Sequence, residues 1–269
     1  MITDDKMISI IKENDKSYLL SLLEESGKVK TLSAFAPVLD KRAYFTINES
    51  GELKRKNNNL IIPFFAYCND NELLAENIFE KADLKERCKI GKINRFSNVD
   101  EKKLKENLLK TLTNGGLEFS LKYGKELFLR NRDEFFKTVL LFSLMGDLKS
   151  LKPLVVLSFK KLMENQEYDE NIFYLLISFL TKYRDNFYFY ENAEIEEDNS
   201  FNLKEFLLAN ENILNSREGL GAISSLKALE ELEKNYQNKF IQKIKNELIT
   251  LKKVTSLNST EKYLLSIFQ

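Results

Sequence analysis

The residues best suited to chemistry lie between Asp185 and Ser200, in the stretch DNFYFYENAEIEEDNS. Four aromatic residues stand in a row, and five carboxylates follow within eight positions. Carboxylate oxygens bind hard cations such as Ca²⁺. A calcium loop, however, alternates its ligands and carries a glycine near its centre, and this stretch has neither feature. We therefore interpret the acids as a solvated loop and predict no metal site.

The sequence contains no histidine, which excludes several kinds of active site. The chain by itself cannot form a Ser-His-Asp triad, a Cys-His pair or a histidine-ligated metal site. The chemistry that remains uses carboxylate, lysine, tyrosine or serine side chains, and these would have to converge in a pocket, which a sequence does not display. We expect no cofactor and favour a protein that is not an enzyme. Carboxylate or lysine catalysis stays an open alternative.

Two glycine patterns are close to nucleotide-binding loops but lack what those loops require. GLGAIS, from Gly219 to Ser224, begins like a dinucleotide fingerprint, yet it follows an acidic stretch rather than a strand. Gly124 and Lys125 lie too far from Gly116 for a phosphate loop, and Glu126 stands where a magnesium-binding Ser or Thr belongs. We predict no nucleotide site at either pattern.

The aromatic run has two interpretations. If the segment is extended, Phe187 and Phe189 point one way and Tyr188 and Tyr190 the other, so that one pair reaches the core. In the first interpretation the run is an aromatic lid over a helical core. In the second, an exposed tyrosine patch beside the acids binds a partner protein with a basic rim, because such interfaces favour Tyr and Phe anchors. The residues of that predicted protein-binding surface are Phe187, Tyr188, Phe189, Tyr190, Glu194, Glu196 and Glu197.

A basic amphipathic helix is predicted near the C-terminus. Apolar residues recur in steps of three or four from Leu226 to Leu251, which indicates one helix of roughly thirty residues and about 45 Å. Its other faces are basic beyond residue 233, and the alternative function is nucleic-acid binding through phosphate contacts. The lysines assigned to that alternative are Lys239, Lys243, Lys245, Lys252 and Lys253. The same helix is where a homodimer would form.

The elements that would position these residues are mainly helical. The one convincing β signal is a pair of apolar runs, from Ala43 to Ile47 and from Leu60 to Tyr67. Four closely spaced segments between Leu117 and Arg184 have broad apolar faces, which predicts a buried helical centre. An offset of 36 residues relates Asp133 to Asp169 at the starts of the second and fourth segments, which hints at a repeat. The predicted fold class is mainly α, an antiparallel helical bundle or short α-hairpin repeat stack, with a minor β-hairpin in the N-terminal portion.

Helix ends and three portions of the chain are marked in the sequence. We expect Gly27 to end the first helical stretch, Asp70 to cap a helix, and Ser97 with Asp100 to form a capping box. We expect residues 1–95 to form an α+β portion with the small hairpin, and residues 96–190 to form the central helical stack. We expect residues 191–269 to form an acidic loop followed by the long C-terminal helix and a short terminal helix.

Composition bears on where the protein acts and what it binds. The 269 residues include 41 basic and 41 acidic side chains, so no global field attracts nucleic acid or an anionic membrane. Asp4 and Asp5 stand where a secretory signal needs positive charge, and no apolar run reaches the length of a membrane span. Cys68 and Cys88 lack a CxxC spacing and are interpreted as free, buried thiols.

The abundance of Lys, Asn, Ile and Phe is typical of an AT-rich bacterial genome. We therefore expect a bacterial cytoplasmic protein with no membrane partner. Its predicted function is non-catalytic protein–protein interaction, as an adaptor or regulator that uses helical surfaces. The identity of the partner protein does not follow from the sequence.

Overall fold

The computed structural model describes residues 3–40, 45–47, 53–55, 59–86, 89–93, 96–194 and 201–269. Within those ranges the chain folds into fifteen α-helices and one pair of three-residue strands, which confirms a mainly α fold. No helix in those ranges is both long and apolar enough to cross a membrane. Cys68 is buried and free, as predicted, whereas Cys88, Glu196 and Glu197 lie outside the described residues.

The N-terminal portion begins with two helices and contains a short β-ladder. Its elements are α1 Asp4–Glu13, α2 Lys16–Leu39, β1 Phe45–Ile47, β2 Leu53–Arg55, α3 Ile61–Tyr67 and α4 Asn71–Lys81. Gly27 interrupts α2 with a φ of 77°, which glycine adopts without a side-chain clash, but the helix resumes and continues to Leu39. The prediction that Gly27 ends the helical stretch is therefore only partly right.

The second strand predicted for the β-hairpin is absent from the described residues, and a different segment pairs with the first strand. Phe45–Ile47 pairs antiparallel with Leu53–Arg55, whereas the run from Leu60 to Tyr67 forms helix α3. Pro63 fits there because it lies in the first turn, where backbone N–H groups have no partner within the helix. A short apolar run that is buried on all sides shows no clear period, so its pattern suits a strand and a helix equally.

Capping residues decide where the next two helices begin. Asp70 is the N-cap of α4, as predicted, and Asp100 is the N-cap of α5 Glu101–Thr113. The predicted capping box is wrong, because Ser97 does not cap α5. Its hydroxyl donates instead to the buried Glu126 carboxylate at 2.9 Å, and its backbone N–H donates to the same group at 2.9 Å.

The four helical segments predicted for the centre are confirmed. They are α6 Leu117–Arg130, α7 Arg132–Met145, α8 Lys152–Met163 and α9 Glu170–Lys182. Large aromatic residues fill the space between them, and the ring of Phe128 lies 5.3 to 6.2 Å from five other rings. Those rings belong to Phe135, Phe136, Phe159, Tyr168 and Phe173. Such tilted and edge-on contacts add to the stability gained from apolar burial.

Six helices follow the central four. They are α10 Tyr188–Glu191, α11 Leu203–Ala209, α12 Glu211–Leu214, α13 Arg217–Glu230, α14 Lys234–Ile249 and α15 Ser259–Phe268. The predicted thirty-residue helix is wrong, because α13 and α14 are separate. The side-chain amide of Gln237 donates to the carbonyl oxygens of Leu229 at 3.0 Å and Leu232 at 3.4 Å, which satisfies the end of α13. Leu232 is itself buried in the turn, so the apolar spacing continues across the break. The predicted acidic loop is also partly wrong, since α11 and α12 lie within it.

Helix α13 lies directly against the turn between α7 and α8. A Cβ on Gly221 would stand 2.1 Å from the carbonyl oxygen of Leu148, so only glycine allows this approach. Leu148 belongs to a 3-10 turn, Leu148–Ser150, that joins the two helices. The glycines of GLGAIS therefore serve close helix packing.

Candidate partner-binding surface

The aromatic run forms one short helical turn rather than an extended segment. Asn186 Oδ1 accepts a hydrogen bond from the backbone N–H of Tyr188 at 3.0 Å, and α10 begins there with Phe187 as its N-cap residue. Residues three apart on a helix lie on one side, which places Phe187 and Tyr190 together. The predicted alternation, in which Tyr188 and Tyr190 share a face, is wrong.

Phe187 and Tyr190 attach the run to the body of the protein. The Phe187 ring lies 6.3 Å from the ring of buried Phe142 on α7, at an interplanar angle of 69°. The Tyr190 ring lies 5.4 Å from Phe240 on α14 and nearly parallel to it, at 24°. The ammonium of Lys239 lies 4.4 Å from the centroid of the Tyr190 ring. The predicted lid is therefore formed by two of the four rings.

Tyr188 and Phe189 are the outward members of the run. Tyr188 is 57% exposed, and its ring meets that of half-buried Phe189 edge-on at 5.4 Å. Glu191 and Glu194 follow and are both exposed. We refer to Tyr188, Phe189, Glu191 and Glu194 as the aromatic-acidic surface.

The lysines predicted for nucleic-acid binding do not form one surface. Lys239 and Lys245 lie with their ammonium groups 4.4 and 5.7 Å from the centroids of aromatic rings. Lys252 and Lys253 are exposed, but they follow the end of α14. Lys243 is only 1% exposed. Burial removes Lys243 from any surface that phosphates reach, which corrects the prediction for that residue.

The charged partner of Asp185 is Lys152, in a buried ion pair that adjoins the aromatic run. Lys152 Nζ lies 2.6 Å from Asp185 Oδ2, and the two side chains are 1% and 2% exposed. The Lys152 ammonium also lies 4.7 Å from the centroid of Phe142, the ring that Phe187 contacts. Burial lowers the pKa of Lys152 and raises that of Asp185, and the attraction within the pair opposes both pKa shifts.

A second buried ion pair attaches α14 to the turn between α7 and α8. Lys243 Nζ lies 2.9 Å from Glu247 Oε2 and also donates a hydrogen bond to the carbonyl oxygen of Gly146. Glu247 Oε1 accepts a hydrogen bond from the backbone N–H of Leu148 at 2.8 Å. Burial raises the pKa of Glu247, and the charge of Lys243 opposes that shift. We call Lys152, Asp185, Lys243 and Glu247 the ionic cluster.

The ionic cluster is suited to holding the surface in place rather than to a reaction. Each of its charged groups has a partner of opposite charge within 2.9 Å. Buried charges in such pairs make directional contacts that fix the relative positions of the elements that carry them. Over the described ranges, no group of three or more carboxylates or cysteines is placed to bind a metal ion. The cluster thus positions α14 and the start of the aromatic run on the turn between α7 and α8.

Sequence reasoning missed the ionic cluster. Lys243 and Glu247 are spaced four apart beside buried Ile244 and Leu248, a local signal that a charged pair accompanies the apolar face. The single apolar stripe predicts that one side of the helix is buried, which places Lys243 on one of the basic outer faces. Lys152 has its partner 33 positions away, and no local pattern indicates that contact.

The chain was also compared with known protein families, curated proteins and solved structures. No family model matches the chain, and no significant match was found among curated proteins or solved structures.

Proposed function

We propose that this protein is a non-catalytic cytoplasmic interaction protein, an adaptor or regulator, that binds a partner protein through the aromatic-acidic surface. The observation that carries the proposal is the exposure of Tyr188 on a segment anchored on both sides. Phe187 and Tyr190 pack inward on α7 and α14, and Tyr188 between them remains 57% exposed.

Anchoring matters because a partner then meets a surface that is already ordered. Binding costs less conformational entropy when the contacting side chains are fixed beforehand. Tyrosine supplies a large contact area with few rotatable bonds and a hydroxyl for a hydrogen bond. An exposed tyrosine that meets Phe189 edge-on thus resembles the aromatic anchors that contribute most to protein interfaces.

The charge of the surface indicates the chemistry of the partner. Glu191 and Glu194 are exposed beside the aromatic pair, and the sequence continues with Glu196, Glu197 and Asp198. Complementary charge increases association rates and selects among partners. We therefore propose a partner that offers an apolar pocket rimmed by Lys or Arg. The nucleic-acid alternative has weaker support, because Lys243 is buried.

We also propose a finer architecture for the central helices. The α6–α7 and α8–α9 pairs are consecutive helical hairpins, and the apolar positions of α7 and α9 correspond at an offset of 36 residues. An irregular antiparallel stack built from such hairpins accounts for both observations. In this architecture the stack is the rigid support for the surface.

The proposal is tested by comparing what three forms of the full chain capture from native cell extract. Tyr188→Ala removes the exposed ring, and Leu208→Ala is the matched control, because Leu208 on α11 is 62% exposed and lies outside the surface. We expect quantitative mass spectrometry to find a protein that wild type and Leu208→Ala retain and Tyr188→Ala loses. Purified, that protein should bind Tyr188→Ala about tenfold or more weakly, with Tyr188→Phe restoring most of the affinity. Identical captured sets for all three forms would contradict the proposal.

A further inference from the structure

Two aromatic rings near the end of the chain each carry a lysine ammonium group. Tyr67 on α3 and Phe268 on α15 meet edge-on, with ring centroids 4.9 Å apart and an interplanar angle of 72°. Lys161 Nζ lies 4.5 Å from the centroid of Tyr67, and Lys227 Nζ lies 4.2 Å from that of Phe268. Helices α8 and α13 thus bring two cations to one aromatic pair.

These cations have no carboxylate partner. Across the described part of the chain, neither Lys161 nor Lys227 has a carboxylate oxygen within 4.0 Å. Burial lowers the pKa of Lys227, Glu230 opposes that shift and the charge of Lys161 adds to it. Because each ammonium group lies over one ring of the edge-on pair, the two positive charges are close enough to repel each other.

A third lysine approaches from α2. The ammonium of Lys28 donates to Asn69 Oδ1 at 2.7 Å and to the carbonyl oxygen of Cys68, both of which are neutral acceptors. Burial lowers the pKa of Lys28, and the charge of Lys161 also lowers it. Lys161 is thus the central cation of three.

Neighbouring cations differ, because structural contacts occupy them. Lys160 forms a salt bridge of 2.5 Å with Glu231. The guanidinium of Arg132 lies 4.8 Å from the Phe128 ring centroid and donates to the carbonyl oxygen of Gln166 at 3.3 Å. Lys160 therefore has a carboxylate partner, whereas Arg132, like Lys28, is held by neutral carbonyl acceptors.

Lys161 and Lys227 line a cavity of about 500 Å³ between α3, α7, α8, α13 and α15. That volume is in the range of small-molecule sites. Phe136 and Leu157 supply apolar lining, and Lys161 also lines a second cavity of about 260 Å³ together with Lys28. The cavity is also lined by two further cations, Arg132 and Lys160, and by four carboxylates, those of Asp133, Glu164, Glu230 and Glu231. Lys160 pairs with Glu231, whereas Lys161 and Lys227 are the lysines of this lining that no described carboxylate oxygen approaches within 4.0 Å.

The geometry points to a binding site for a small organic phosphate, with the phosphate between Lys161 and Lys227 and the organic group against Phe136 and Leu157. A phosphate monoester carries a charge of about −1.5 to −2 near pH 7, which two ammonium groups match better than they match a carboxylate. Lysine binds phosphate as a compact point charge with three donors. This site shares no residue with the aromatic-acidic surface, so the experiments that test it are independent of those that test the proposed function.

The first test measures binding to the full chain by isothermal titration calorimetry at about 0.15 M salt. The probes are phenyl phosphate, inorganic phosphate and benzoate. We expect phenyl phosphate to bind with one site per chain and more tightly than either other probe. Lys161→Met and Lys227→Met should each weaken its binding about tenfold or more, whereas the control Lys253→Met, which is exposed like Lys161 but lies outside the cavity, should not. No binding of phenyl phosphate to wild type, or equal binding by all variants, would overturn the inference.

The second test distinguishes a ligand site from simple packing of lysine stems on aromatic rings. Methionine keeps an apolar chain of similar length over the ring but removes the charge. If the lysines are held for a ligand, Lys161→Met raises the melting temperature of the ligand-free protein, because the repulsion of Lys28 and Lys227 is relieved. A clear drop in melting temperature would show that cation–π packing is the role of Lys161 and would overturn the inference.

Discussion

Helices α9 and α14 are both packed into the protein, but their buried residues differ in kind. Of the nine buried residues of α9, seven are apolar and two are the hydroxyl residues Ser178 and Thr181. The described side chains of α14 include six buried ones, and three of these are Gln242, Lys243 and Glu247. Helix α9 is therefore held mainly by apolar burial, whereas α14 depends on polar contacts to one particular turn.

The difference has consequences for how each helix depends on the rest of the chain. Apolar burial is not directional and is roughly proportional to the area removed from water, so the sequence of α9 nearly suffices to place it in a core. A buried charge is tolerated only beside its partner. The position of α14 accordingly depends on Gly146 and Leu148, which lie outside the helix.

The largest effect is expected from placing a charge in α9. Leu176 is fully buried, and Leu176→Asp would bury a carboxylate without a partner, at a cost above about 4 kcal/mol. We expect loss of soluble folded protein, measured by soluble yield and circular dichroism. Leu208→Asp, at a 62% exposed position, should change the free energy of unfolding by no more than about 0.5 kcal/mol. A Leu176→Asp variant that melts like the parent would show that α9 is not core.

The second-largest effect is expected from breaking the Lys152–Asp185 pair of the ionic cluster. Lys152→Met leaves Asp185 buried without its cation, which should lower the free energy of unfolding by about 3–5 kcal/mol in urea titrations. The double variant Lys152→Met, Asp185→Leu removes both charges and should recover most of that loss. If the double variant is as unstable as the single one, the pair does not act as a unit.

The loss in Lys152→Met should also depend on pH. Burial raises the pKa of Asp185 above its ordinary 3.8, and Lys152 opposes that rise. A carboxyl with a raised pKa in the folded state favours folding below its ordinary pKa, and this contribution is lost as the pH rises through the folded pKa. Removing Lys152 raises that pKa further. The loss of unfolding free energy relative to wild type should therefore be smallest at about pH 4 and largest at about pH 7.

The same contrast explains what the sequence could predict. The four central helices, the cap at Asp70 and the buried face of α9 follow from apolar spacing and local capping chemistry, which lie within a few residues of each other. The break between α13 and α14 did not follow, because Leu232 keeps the apolar period through the turn. The strand expected at Leu60 to Tyr67 failed because a fully buried run has no polar face to set its period.

The candidate site could be predicted only in part, because it depends on the local backbone conformation and on a contact between distant residues. Composition and order identified the aromatic run, but its conformation decides which rings are exposed. One helical turn pairs Phe187 with Tyr190, whereas an extended segment pairs Tyr188 with Tyr190. The contact between Lys152 and Asp185 joins distant parts of the chain, and neither residue carries a local sign of it.

The smallest effect concerns the aromatic contact that supplements the ionic attachment of α14. Tyr190→Ala removes the ring stacked on Phe240 and should lower the free energy of unfolding by about 1–2 kcal/mol. Tyr188→Ala, two positions earlier on the exposed side, should change it by no more than about 0.5 kcal/mol.

A double-mutant cycle isolates the contact itself. Urea titrations of Tyr190→Ala, Phe240→Ala and the double variant should give a coupling energy of about 0.5–1.5 kcal/mol between the rings. No coupling would mean that α10 rests on α14 without stabilising it, and the anchoring on which the exposed Tyr188 depends would then come from Phe187 alone. Equal losses for Tyr188→Ala and Tyr190→Ala would instead support an aromatic lid formed by all four rings.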